Sequence, residues 1–289
     1  MITNDTSGKV TLIITVYNRS HFLRSALLAL RSQSFKIDEL IVSDDGSSED
    51  IISVIRESLS GLDCAVKFVR QDDNGFRLAK CRNNAIREAE GDQLIFIDQD
   101  IVYTKNYLKT FTEYREKGVF LVAYPVRLRE DQTNQLTEDM IATADYSSLI
   151  SPEQRKKIHK QYYSDLFEYF LKKTLRTKGH KPKLRGGVFA IRKEDILKVD
   201  GFDENYQGWG NEDDDLGRRL YKAGIIGKNV FYDEYPIHLY HPAFHVNGKR
   251  VNQDYYQTRI KEIRDGKYRA VHGVSNPLGD DKIEVIRLR

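Results

Sequence analysis

Two acidic clusters in this chain have the residue types and the placement to do chemistry. Asp98-Gln99-Asp100 closes the apolar run Leu94-Ile95-Phe96-Ile97, and Glu212-Asp213-Asp214-Asp215 follows the turn Gly208-Trp209-Gly210. A buried strand that ends in two carboxylates one residue apart sets charge at the carboxyl edge of a sheet, where open α/β folds bind ligands. Oxygen donors of that kind suit Mg2+ or Mn2+, and an ion there neutralises charge developing on a diphosphate leaving group. On a surface loop the same pair would be solvated charge and nothing more. After four apolar residues, unpaired charge is costly, and a metal or cationic partner is the better account. The second cluster sets four acids at a predicted helix start, where one or two would complement the dipole. The excess points to a ligand: one carboxylate acts as base on a substrate hydroxyl, while Trp209 stacks on a sugar ring whose hydroxyls donate to the other acids.

Asp44-Asp45-Gly46-Ser47 ends another strand on the same edge. It reads as a plain turn with a helix cap, or as an Asp that accepts from a nucleobase N–H or a ribose hydroxyl. Thr15-Val16-Tyr17-Asn18-Arg19 ends the first strand, which directs its side chains into that crevice. Asn74-Gly75-Phe76-Arg77, with Lys80 and Arg82, gathers three cations at a helix start, against the dipole. A diphosphate would explain some of them, and a solvated basic face is the plainer alternative. His238, His241 and His245 lie at the end of a late strand. One of them joining Asp100 would supply an imidazole ligand, spacing does not choose among them, and a lone His is more often structural.

The elements that must position these residues alternate. Val10 to Val16 is a β-branched run fit for a strand buried on both faces, followed by Phe22, Leu23, Ala26, Leu27 and Leu30 at helical spacing. Strands over 39–43 and 66–69 follow, with Ser47 and Asp50 read as a capping box before a helix around 51–55. A helix over 78–90, the strand ending at Asp98, a helix near 106–116 and a strand over 119–123 complete a pattern that implies a parallel sheet with right-handed crossovers. From about Arg129 to Lys183 the sequence turns polar and helical. Ser151-Pro152-Glu153-Gln154 is a helix start, and Ile158, Tyr162, Leu166, Tyr169, Phe170 and Leu175 form an apolar stripe opposite a basic face. Strand character returns over 186–191 and 237–241, around a helix over 214–223.

Composition bounds the class. At 289 residues, 40% hydrophobic and 31% charged, the chain fits a globular fold of one large domain with an appendage. No apolar run approaches the roughly 20 residues of a membrane helix, and no basic, then apolar, leader opens the sequence. The expected location is therefore cytoplasmic. A formal net charge of +3 gives no case for nucleic acid. Cys64 and Cys81 are read as reduced core thiols.

Taken in order, these segments resemble an inverting glycosyltransferase of family 2 with the GT-A fold: an α/β nucleotide-diphospho-sugar transferase with a mostly parallel central sheet flanked by helices. Thr15 to Arg19 resembles the family's first strand end, Ser43 to Ser47 its uridine-contacting turn, Ala79-Lys80-Cys81-Arg82-Asn83 its Ala-x-x-Arg-Asn helix, and Asp98-Gln99-Asp100 its metal-binding Asp-x-Asp. Gly208 to Asp215 is similar to the Trp-Gly-x-Glu-Asp-Asp-Asp segment of β-1,4-galactosyltransferases and chondroitin-polymerase-type domains. The resemblance implies a transferase domain over 1–245, with a helical insertion at 129–183 and a C-terminal extension at 246–289. It implies Asp100 as principal metal ligand, Asp98 near the ribose or metal, and His241 as third ligand to Mn2+ or Mg2+. Thr15, Tyr17, Arg19, Asp44, Arg77, Lys80, Asp98 and Gly187 would bind a UDP-sugar. Asp213 would be the base, and Trp209, Glu212 and Asp214 would hold a glycan or lipid-linked glycan acceptor in surface polysaccharide synthesis.

Between Glu153 and Arg185, eleven Lys or Arg stand against three acids. Such a stretch suits an anionic membrane surface; a helix that packs its stripe on the core and solvates its basic face is the favoured expectation. Two rival functions are weaker. A non-catalytic carbohydrate- or nucleotide-binding module would have no use for both the metal pair and a base. A nucleotidyltransferase would carry a Gly-rich phosphate loop after its first strand, and Thr15 to Arg19 has no glycine.

Overall fold

The first strand, β1 (Val10–Val16), is buried along its whole length, as a strand covered by helices on both faces must be. The computed structural model describes residues 8–242, 251–279 and 282–289. After β1 come α1 (Ser20–Arg31), β2 (Glu39–Asp44), α2 (Ile51–Ser58), β3 (Ala65–Arg70), α3 (Leu78–Glu88) and β4 (Gln93–Asp98). β1 lies between β2 and β4, and β3 lies beyond β2, all parallel. Continuous apolar runs and helical spacing in this half predict the elements to within about three residues, α2 running on to Ser58. One cap differs. Asp50 caps α2 by accepting from Ser53 N–H, while Ser47 gives its N–H and hydroxyl to Asp44, because a carboxylate buried that deeply needs donors more than a helix end does.

The chain continues through β5 (Ile101–Val102), α4 (Tyr107–Glu113), β6 (Val119–Val122), β7 (Val126–Arg127), α5 (Glu130–Thr133), α6 (Glu138–Thr143), α7 (Pro152–Leu175) and β8 (Val188–Arg192). Then come α8 (Lys193–Lys198), α9 (Glu212–Lys222), β9 (Ile226–Asn229), β10 (Ile237–His238), α10 (Gln253–Arg264) and β11 (Glu284–Arg287). The large sheet has the order β11-β3-β2-β1-β4-β8-β6-β9. β8 runs antiparallel between β4 and β6, which interrupts the predicted parallel succession. A second, small sheet has the order β5-β10-β7. It sets His238 opposite Ile101, and Leu239 N–H then binds the Asp100 carbonyl. The predicted strand over 237–241 thus keeps only two paired residues.

The insertion is helical, and α7 starts at the predicted box, with Ser151 and Gln154 each accepting from the other's backbone. Its inward face is not the expected one. Ile158 and Tyr169 pack partly against the core, and Asp165 and Lys172 are buried, whereas Leu166, Phe170 and Leu175 join Tyr163 and Phe167 on the exposed side. Asp165 takes donors from Gln161 and Asn229, and Lys172 pairs with Glu168, so two charged residues occupy positions that stripe counting gives to apolar ones. The C-terminal extension is built into the fold: α10 packs on α9, and β11 pairs antiparallel with β3. Cys81 is buried, Cys64 is half-buried, and both are free.

Candidate functional site

Asp100 leaves β4 just before β5, and the small sheet folds β10 back onto it. Its Oδ2 lies 2.9 Å from His241 Nε2 and 3.4 Å from His238 Nε2, and one ligand atom from each of the three falls within 4.8 Å of the others. Both imidazoles therefore reach Asp100, where spacing alone chose neither; His245 lies outside the described residues. Asp100 Oδ1 is buried and has no hydrogen-bond partner among the described residues. His241 has acceptors on both sides, since its Nδ1 faces the Pro242 carbonyl at 3.1 Å. Such a ring is either doubly protonated or neutral with a cation between it and the carboxylate. The Asp100 hydrogen bond accordingly raises the His241 pKa. Burial pushes Asp100 upward, but the His241 hydrogen bond and the two imidazole charges outweigh it and hold the carboxyl below its usual range.

Asp98, expected at the ribose or the metal, stands outside this trio. Its Oδ1 accepts from Thr15 Oγ1 at 2.8 Å and Arg82 Nη2 at 2.9 Å. Gly187 is a glycine for steric reasons: a Cβ there would lie 1.9 Å from Asp98 Oδ2, and one on Gly186 would lie 2.5 Å from Arg82 Nη1. Arg82 is fully buried, sits over the Phe202 ring, and faces Glu212 at 3.8 Å. Charge spacing had placed it merely among cations for a diphosphate. The structure makes it the link between the two acidic clusters, and the Ala-x-x-Arg-Asn segment was the signal that marked it. Its neighbour Asn83 fastens the same region, binding Phe202 through both its oxygen and its nitrogen.

The four acids at the start of α9 point in different directions, because successive residues of a helix turn about 100°. Glu212 is pushed up to about 7, by burial and then by Asp213, with Arg82 opposing. Asp213 accepts from Asp214 N–H at 2.8 Å, and its other oxygen lies 3.5 Å from Gly186 N. Asp214, expected to bind acceptor, instead pairs with Lys183 at 3.0 Å and Arg218 at 2.7 Å and accepts from the Tyr256 hydroxyl. Burial alone would raise its pKa; those partners outweigh it and hold the carboxyl at about 2. Asp215 is buried against Arg219 at 2.6 Å and Arg259 at 3.9 Å. Trp209 is half exposed on the preceding turn.

The predicted nucleotide side is more committed to the protein than expected. Asp44 is fully buried: Ser47 occupies one oxygen, and the other, 3.8 Å from Arg70 Nε, has no hydrogen bond among the described residues. Asp45 takes Arg77 N–H at 2.9 Å and Gln71, and burial pushes its carboxyl up to about 6. The Arg77 guanidinium donates to the Asp72 carbonyl, and Lys80 donates to that of Leu278. Two of the three cations assigned to a diphosphate thus fasten loops. Tyr17 is exposed and reaches Asp73 at 3.3 Å. Asn18 and Arg19 both have positive φ, 51° and 54°, a costly pair that is held by Ser47 Oγ on Asn18 N–H and by Glu49 on Arg19 N–H.

A family model described as glycosyl transferase family 2 matches residues 11–199, and one described as the N-terminal domain of galactosyltransferase matches residues 170–242. A chondroitin synthase of Escherichia coli is 27% identical over 230 residues, which cover 76% of this chain and 33% of the relative. A validoxylamine A glucosyltransferase of Streptomyces hygroscopicus subsp. jinggangensis is 29% identical over 231 residues, covering 75% and 52%. The chain spans a quarter to a third of the length of the bacterial chondroitin and hyaluronan synthases it matches. Among solved structures, S. aureus TarS 1-349 in complex with UDP-GlcNAc superposes with a TM-score of 0.60 at 16% identity, covering 92% of this chain and 68% of that one. Mannosyltransferase PcManGT from Pyrobaculum calidifontis, in complex with GDP-Man and Mn2+, gives 0.57 at 17%, covering 90% and 65%.

Proposed function

This chain belongs to glycosyl transferase family 2 and has the GT-A fold, and on that premise we propose that it is a metal-dependent, inverting hexosyl- or N-acetylhexosaminyltransferase. The donor in this reading is a UDP-sugar, the acceptor a hydroxyl of a glycan or glycolipid, and the setting surface polysaccharide synthesis. UDP-galactose or UDP-N-acetylgalactosamine is the preferred donor, on the strength of the Trp-Gly segment. The observation that carries the reading is the trio of Asp100, His238 and His241, with a buried oxygen that has no hydrogen-bond partner among the described residues, two residues along from Asp98, which Arg82 links to Glu212 of α9.

The donor set fits a divalent ion, and two imidazoles beside one carboxylate favour Mn2+ over the more oxygen-seeking Mg2+. When bound, such an ion would neutralise charge on the departing diphosphate. Asp213 takes the proton of the acceptor hydroxyl as that oxygen attacks the anomeric carbon. Arg82 and Thr15 hold Asp98 still beside the Gly186-Gly187 floor, and Trp209 offers an apolar ring to a sugar face. The test is UDP release from a panel of UDP-sugars. One donor is expected to turn over with Mn2+, more slowly with Mg2+, and not with EDTA. Silence across the panel, with no nucleotide binding by calorimetry, would favour the non-catalytic module instead.

A peripheral position on the cytoplasmic membrane face belongs to the same reading. Among the described residues no helix is long and apolar enough to cross a membrane. α7, however, turns Tyr163, Phe167 and Phe170, each 58–62% exposed, outward at i, i+4 and i+7, with Lys156, Lys160, Lys173 and Arg176 exposed around them. Aromatic side chains rimmed by cations suit an anionic lipid surface. Flotation with anionic vesicles at low salt is expected, with loss of binding in Phe167→Ser/Phe170→Ser. A wild-type chain that stays at the bottom of the gradient ends the idea.

A further inference from the structure

We propose that the cleft between α7 and the extended segment 181–185 is an acceptor subsite for an acidic sugar unit, bearing a carboxylate or a phosphate, beside the point of transfer. The inference rests on the transferase reading above and names a class of acceptor that it leaves open. The cleft encloses about 200 Å³ and is lined by Tyr124, Gln161, Ser164, Lys181, Lys183 and Arg185, with Asp165 at its floor. Along this segment, Lys181, Lys183 and Arg185 are exposed while Pro182 and Leu184 are buried. All three cations line the cleft.

The one acid in the lining answers that charge only in part: Asp165 feels the Arg185 charge, but burial outweighs its partners and raises its carboxyl, and one acid stands against three cations. Asp165 is buried, and its two oxygens already accept from Gln161 Nε2 at 2.9 Å and Asn229 Nδ2 at 3.1 Å. Lys183 reaches Asp214 at 3.0 Å, which anchors the middle of the row beside the base. The Arg185 guanidinium lies 5.7 Å over the Tyr124 ring, which pairs a planar fork for an oxyanion with an aromatic surface for a sugar face. The segment then runs directly into Gly186, whose N–H approaches Asp213, and Gly187, packed on Asp98. An acidic unit seated here is the acceptor residue itself or its immediate neighbour.

The test compares three acceptors: a disaccharide ending in glucuronate, the same disaccharide with that carboxyl reduced to an alcohol, and one ending in hexose 6-phosphate. Wild-type kcat/KM is expected to be at least about tenfold higher for one of the two acids than for the alcohol, with the advantage shrinking as salt is raised. The preferred acid identifies the source of the charge. In Arg185→Gln and Lys181→Gln the acid-to-alcohol ratio should fall by about tenfold or more. Donor turnover with equal use of all three acceptors overturns the subsite and leaves the transferase reading standing. If no donor turns over, calorimetry with the same disaccharides in the presence of UDP decides: acid bound at least tenfold more tightly than alcohol supports the subsite, and equal affinities overturn it.

Discussion

Asp213→Asn should lower sugar transfer by about a thousandfold while UDP-sugar binding stays within about twofold of wild type. The expectation comes from elimination along one turn of helix. Asp214 is occupied by Lys183, Arg218 and Tyr256, and Asp215 is sealed in the core between two arginines. Glu212 is raised to about 7 by burial and by Asp213 itself, so it spends much of its time protonated near neutral pH. Asp213 has one short hydrogen bond, from the N–H of Asp214 at 2.8 Å, and its other oxygen takes only a long one, from Gly186 N–H at 3.5 Å. It is the member of the run placed to take a proton from a hydroxyl lying over the Gly186-Gly187 floor. The measurement is single-turnover transfer, with donor affinity determined by calorimetry on the same protein. Transfer at near wild-type rate would remove Asp213 from the role of base and move attention to Glu212.

Two residues along, the same change should do something different. Asp215→Asn is expected to cost about 3–5 kcal/mol of stability, because removing one partner of a buried ion pair leaves the other charge uncompensated. Arg259 would keep Asp203 as a deep partner, while Arg219 would keep the carbonyls of Val199 and Gly201 and no carboxylate among the described residues. That cost is a large part of the 5–15 kcal/mol that holds a typical domain together, and it corresponds to a fall in Tm of roughly 5–10 °C in a chain of this size. Arg259 belongs to α10, so the loss should also loosen α10 from α9 and make the stretch from 251 to 270 cleavable by protease. Thermal melting and limited proteolysis check both. A drop of less than a few degrees would show that the arginines find other partners, and the buried network would lose its structural meaning.

The contrast between these neighbours marks the limit of what composition and spacing disclose. Four adjacent acids look alike in a sequence. Their separation into base, brace and core anchor depends on which way each side chain leaves the helix and on Lys183 and Arg259, which lie far away in the chain. The first four strands were legible because a strand buried on both faces must be apolar throughout, and Asp98 was legible as the charge that ends such a run. β5 and β7 were not, since two-residue strands carry no periodicity, and β10 was legible only as part of a longer strand over 237–241. Yet it is their pairing that brings His238 to Asp100. The family resemblance pointed to His241, which follows a strand, and His238 stood in the sequence only as one of three candidates. α7 misled for a different reason: Asp165 and Lys172 are buried because each has a bonded partner, and that displaces the aromatics a stripe reading would bury.

The pairing of β11 with β3 bears on how the chain comes off the ribosome. β3 would otherwise be the outermost parallel strand of the sheet, with a row of unpaired backbone groups able to recruit a strand from another molecule. Residues 284–287 cover that row, and they are synthesised more than two hundred residues after it. A nascent chain thus holds an assembled sheet with a bare margin for most of its synthesis. The covering strand is itself short and ends in Glu284 and Arg287, so the margin that finally faces water is charged and a poor template for aggregation.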